Sequence, residues 1–138
     1  MKGQAMNTLI KNAPIARVGK IFDDREITLH MLERCRDTFG LRDYQPCVGE
    51  IFMDWRESPT ILHHGKVLSL KLDNDTLLAD IEMFMPPETV REKALYPGIA
   101  YLETKSTTAP ALIAVILGER PVRADAVAIK DCDICEAA

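Results

Sequence analysis

Few residues in this chain have the types and spacing that chemistry requires. Cys132-Asp-Ile-Cys135 is a C-x-x-C, half of a zinc site or a redox pair. A zinc ion would need a second pair, or paired histidines at comparable spacing. Cys35 and Cys47 are instead separated by eleven residues, and the three histidines lie elsewhere, so no metal is expected. Cys35 reads as a small core residue on a helix, and Cys132 and Cys135 as an exposed pair able to form intersubunit disulfides after release into an oxidising environment. Ser106 with His63 or His64 offers a nucleophile and a base. Taken singly, Ser106-Thr-Thr108 ahead of Pro110 reads as a polar loop, His63-His64 beside Gly65 as a surface turn, and His30 as solvent-facing. Asp80 and Glu82 fall on one side of a strand and could act as an acid pair, though a solvated face is the simpler reading. Asp73-Asn74-Asp75 lacks the spaced carboxylates of a calcium loop and suits a tight turn.

The composition narrows the function classes. With 138 residues, 47% hydrophobic and 28% charged, the chain fits one globular domain. A net charge of -4 without any Lys/Arg run argues against a nucleic-acid partner. The longest apolar run, Ala111–Leu117, suits a buried strand and is far short of the roughly 20 residues of a membrane span. The N-terminus has no secretory h-region, so synthesis in a cytoplasm is expected. No motif for a cofactor appears.

The elements that must position these residues follow from periodicity. Ile15–Phe22 reads as a strand, after which Thr28 caps a helix running to Phe39, with Gly40 at its left-handed end. Residues 46–55 read as a strand, 56–59 as a polar loop. The clearest hairpin pairs Gly65–Leu72 with Thr76–Phe84, where Leu77, Ala79, Ile81 and Met83 alternate with Leu78, Asp80 and Glu82. Pro86-Pro87-Glu88 opens a helix to Tyr96 that Pro97-Gly98 ends. Ile99–Thr104, Ala111–Leu117 and Val122–Ile129 read as strands. The expected organisation is a polar arm (1–13), a β-rich domain (14–130) and a tail (131–138). The expected fold is α+β, a partly closed antiparallel barrel or sandwich with two short helices.

Gly65-Lys-Val-Leu-Ser-Leu70, Asp75-Thr-Leu-Leu-Ala-Asp-Ile-Glu82, Val90–Gly98 and Ala114-Val-Ile-Leu-Gly-Glu-Arg-Pro-Val122 occur in the order of the tailed-phage prohead proteases and their capsid-scaffold relatives. Val18-Gly19 and Asp24–Thr28 are similar to that family's opening strand and capped helix. The chain thus resembles this assemblin-like family over about residues 15–130. The resemblance implies a catalytic His after the first helix and a Ser in the strand near residues 99–104. Cys47–Asp54 contains no His, and Tyr101 stands nearest the nucleophile position if Glu103 takes the acidic one. Both halves of the serine-protease machinery are missing at these positions.

A fold kept without its chemistry implies a structural head protein. The leading expectation is a decoration, or cement, protein of the virion, assembled in the host cytoplasm, binding the major capsid protein as a homo-oligomer, dimer or trimer. The arm and tail are the expected reach to neighbours. The alternatives are a prohead maturation protease using Ser106 with His63 or His64, a transient capsid assembly factor, and an unrelated ligand-binding β-domain.

Overall fold

Among the described residues, alternation and capping resolve into nine strands and two short α-helices. The strands are β1 (Thr8–Arg17), β2 (Gly19–Lys20), β3 (Glu26–Ile27), β4 (Cys47–Met53), β5 (Pro59–Asp73), β6 (Thr76–Met83), β7 (Tyr96–Tyr101), β8 (Leu112–Gly118) and β9 (Asp133–Glu136), and the helices are α1 (Leu29–Asp37) and α2 (Pro87–Val90). The computed structural model describes residues 6–22, 25–53, 56, 59–103, 105 and 107–137, with the backbone alone at 53 and 59.

Among the described residues, seven strands form one sheet in the order β7-β8-β4-β5-β6-β1-β9, and β2 pairs with β3 alone. The strand-rich α+β class is as expected, but the sheet is mixed rather than antiparallel. β4 and β8 run parallel, with Cys47 opposite Ala114, and the sheet ends at β7 and β9 without closing. The parallel pair has a plain cause. Leu112–Gly118 is apolar almost throughout, so it suits a strand with neighbours on both edges and both faces largely covered. It takes that place between β7 and β4.

β6 shows how a strand is held. Its residues alternate between buried Leu77, Ala79, Ile81 and Met83 and half-exposed partners, and a two-residue turn at Asn74-Asp75 returns it onto β5. Asn74 has φ +54°, a conformation asparagine tolerates better than most residues. β5 does not alternate cleanly. A bulge between Val67 and Ser69 makes Leu68 an extra residue, so Val67 is fully buried while Leu68 turns out.

α1 starts at Thr28, whose hydroxyl accepts from the Met31 amide at 3.2 Å. Leu32 and Cys35 face the core, and Gly40 follows with φ +80°. Thr38 caps the other end while buried. Its hydroxyl donates to the Arg34 carbonyl at 2.6 Å and accepts from the Ala111 amide at 2.8 Å, tying α1 to the start of β8.

Four expectations are corrected. The strand expected from Ile15 begins at Thr8, so residues 8–13 of the expected arm lie inside the sheet, with Ile10 and Ala13 fully buried. The helix expected to reach Tyr96 is a single turn, and Pro97-Gly98 sit within β7. An edge strand tolerates a residue with no amide hydrogen. Val122–Ile129 is irregular rather than a strand. It is strapped down by Asp125, which takes both Arg17 and Arg123, by the Phe22 amide on the Val122 carbonyl, and by the Ile129 amide on the Leu95 carbonyl. Finally, the tail carries β9, which pairs with β1 from Leu9 opposite Cys135 to Lys11 opposite Asp133.

Thr38→Val is expected to cost about 1–3 kcal/mol, because the isosteric methyl leaves the buried Ala111 amide without its acceptor. Thr38→Ser should retain most of that stability. Urea denaturation of the three proteins checks this, and equal midpoints would show that another group satisfies the amide.

Candidate functional site

The positions that the resemblance assigns to chemistry come out on two elements. β4 supplies Cys47, Glu50 and no histidine, and β7 supplies Tyr101. Burial raises the Tyr101 phenol above its ordinary pKa, the nearby Glu103 charge adds to this, and a hydrogen bond with Arg34 opposes it. A nucleophile needs the opposite shift, so Tyr101 is not prepared to replace a catalytic serine. Tyr101 and Glu103 instead line a cavity of about 610 Å3 with Ile15, Ile27 and Met31. Ser106 lies outside the described residues.

The two histidines part ways. His63 is exposed, whereas His64 is half-buried with Nε2 2.9 Å from Glu50 Oε2. Local backbone geometry makes this pair. In the β4–β5 ladder Val48 faces Gly65 and Gly49 faces His63, which leaves His64 as the extra residue of a bulge. Bulges re-aim side chains, and this one brings the imidazole to Glu50. Glycine is required on both sides. A Cβ at Gly49 would stand 2.1 Å from the Leu62 carbonyl oxygen, and one at Gly65 would stand 2.3 Å from that of Glu82. The pair sits at a cavity of about 180 Å3 lined by Met83, Met85, Val90 and Leu117. Glu50 was not singled out from the sequence. The available signal was the Gly65 that follows the two histidines, since a glycine inside a strand pattern marks a bulge or close approach.

Asp80 and Glu82 are braces rather than an acid pair. Asp80 Oδ1 accepts from the Asn12 amide at 2.9 Å, where Asn12 has φ +53° in the bulge of β1. Glu82 Oε2 accepts from Asn7 Nδ2 at 2.8 Å, and Lys66 Nζ lies 3.7 Å from Oε1. Asp80 thus binds β6 to β1, and Glu82 binds it to the residue just before β1. His30 is exposed, as expected. No group of three or more potential metal ligands occurs among the described residues.

The cysteines are free thiols of unequal standing. Burial pushes Cys35 up to about 12 and Cys132 up to about 11, and the Cys132 Sγ packs 3.5 Å from the Ala128 carbonyl oxygen. Cys135 is exposed on the edge strand β9. The C-x-x-C therefore divides into one half-buried and one exposed thiol.

The most unusual surface is an arm. Beyond Gly49, β4 no longer pairs with β8, and before Gly65, β5 does not pair with β6. Among the described residues, 50–53 and 59–63 therefore pair only with each other. Ile51, Phe52 and Leu62 on this arm are 57%, 48% and 46% exposed. Periodicity missed the arm, because Pro59 begins its second strand and Ile61-Leu-His-His64 does not alternate.

No family model, curated protein or solved structure matches the chain. No helix among the described residues is long and apolar enough to cross a membrane.

Thiol labelling at pH 8 is expected to modify Cys135 first. Cys132, with a pKa of about 11, should hold about one thiolate in a thousand at that pH, and its labelling should rise about tenfold per pH unit towards 11. Mass-mapped labelling in which Cys135→Ser leaves the fast phase intact would contradict this ordering.

Proposed function

We propose that this chain is a structural protein of a tailed-phage head, a decoration protein that docks on the assembled shell of the major capsid protein. The single observation that carries the reading is the apolar arm. A two-stranded hairpin is marginal by itself in water, and contiguous exposed apolar surface marks interaction sites. Phe52 and Leu62 are exposed on one face of such a hairpin, and Ile51 is exposed on the other. The phage context rests on the ordered sequence motifs, and the fold proposed with it is a partly closed, protease-like barrel. Its support is that β7 packs against β1 across the curl of the sheet. The accessible Cys135 thiol on an edge strand fits a role in linking copies of a homo-oligomer.

A second reading draws on one observation, the orientation of His64 by Glu50. A carboxylate that orients an imidazole supplies two of the three members of a hydrolytic triad. A maturation protease would then use Ser106 as nucleophile, and cleavage of the shell precursor would stop on Ser106→Ala. A transient assembly factor would differ from both in being absent from finished particles.

The expected result is a near-integral ratio of this chain to the major capsid protein in purified, DNA-filled particles. Phe52→Asp combined with Leu62→Asp should weaken particle binding by at least about a hundredfold with the circular-dichroism spectrum unchanged. Few copies per particle, or full binding by the double variant, would overturn the proposal.

A further inference from the structure

The cavity of about 180 Å3 beside the base of the arm is built by several elements at once. β4 brings Glu50, β5 His64, β6 Met83, α2 Val90 and β8 Leu117, and the strap adds Ile129. Met83, Val90, Leu117 and Ile129 are buried, so the interior is apolar. Thr89, Glu92 and Lys93 also line it but are exposed, which marks the mouth. An apolar cavity of about 150 Å3 takes a benzene ring, so this one has room for a single six-membered ring with a small substituent. Thioether sulfur makes favourable contacts with aromatic rings, and both Met83 and Met85 line the cavity.

The polar pair on the wall says what the substituent must be. A carboxylate can only accept, so His64 Nε2 carries the hydrogen that joins it to Glu50 Oε2 at 2.9 Å. In the neutral ring this leaves Nδ1 an acceptor, and the second carboxylate oxygen is another. Neither has a further hydrogen-bond partner among the described residues. The two side chains are only 26% and 28% exposed, so a molecule that fills the cavity must satisfy whichever acceptor it covers. Only a donor does so. An anionic group would meet the Glu50 charge instead, and an ammonium would lose its hydration in an apolar interior. A hydroxyl avoids both costs.

We propose that this cavity binds a small, uncharged aromatic molecule bearing one hydroxyl group, a phenol, with its ring against Met83 and Met85 and its hydroxyl donating to the Glu50–His64 pair. The bulge that carries His64 to Glu50 thereby builds one wall of a ligand site. The inference goes beyond the docking role, which uses the exposed side chains of the arm and does not require the cavity to be filled.

The test titrates full-length protein carrying isotope-labelled methyl groups with phenol, benzene and benzylamine at pH 8, each at about millimolar concentration. The expected result is that phenol shifts the Met83, Met85 and Val90 methyl resonances and binds about tenfold more tightly than benzene. Glu50→Leu combined with His64→Leu should remove that preference, while the dispersion of the spectrum shows a folded chain. Val90→Phe, which fills the cavity, should weaken both ligands about tenfold. Should that variant fail to fold, the comparison of ligands on the unaltered protein still decides the matter. No shift at these methyls, equal or tighter binding of benzene, or tighter binding of benzylamine would overturn the assignment. So would tighter binding of a capped Gly-Tyr-Gly peptide, by making the cavity a socket for a partner's side chain. Because the assay contains no particles, its failure leaves docking of the arm on the shell untouched.

Discussion

β5 belongs to two hairpins, and its change of partner at Gly65 governs what surrounds it. Among the described residues, it pairs from Pro59 to His63 only with β4, at Gly65 and Lys66 with both neighbours, and from Val67 onward with β6. Three backbones crowd at this crossing, which is why a Cβ at Gly65 would stand 2.3 Å from the Glu82 carbonyl oxygen. The strand is 15 residues long while β4 has 7 and β6 has 8. A strand that outruns each neighbour must leave part of itself unsupported, and that part is the apolar arm.

The same crossing produces the polar features. The bulge at His64 relieves the mismatch between the β4 and β5 ladders and carries the imidazole to Glu50. The bulge at Leu68 then restores the inward face, so Leu70 and Leu72 reach the core although Leu68 does not. On the far side of β6, Asp80 and Glu82 hold β1 in place through Asn12 and Asn7. Chemistry-bearing side chains here are thus largely engaged in keeping strands in register. This is the physical reason the motif-level candidates do not converge on one reactive centre among the described residues.

What the sequence disclosed depended on how local the determining forces were. The Thr28 cap, Gly40 and the alternation of β6 are set within a few residues, and each was legible. β7 was half hidden because Pro97-Gly98 reads locally as a helix stop, whereas an edge position, set by tertiary neighbours, accepts it. Val122–Ile129 has strand-like composition, but Asp125 binding to Arg17 and Arg123 holds it as a strap instead. The entry of residues 8–13 into the sheet was unreadable for a related reason. Lys11 and Asn12 interrupt the pattern, and only Asp80, far along the chain, makes that interruption a tolerated bulge. The Glu50–His64 pair likewise requires a bulge that no period reveals.

The proposed docking on the shell rests on the exposed apolar side chains of the arm. Hydrogen–deuterium exchange, comparing the free protein with the protein bound to purified shells, tests the central claim most directly. The expected result is strong new protection at Ile51, Phe52, Ile61 and Leu62 on binding. Unchanged exchange along the arm, with protection appearing only on β9 or α1, would contradict it.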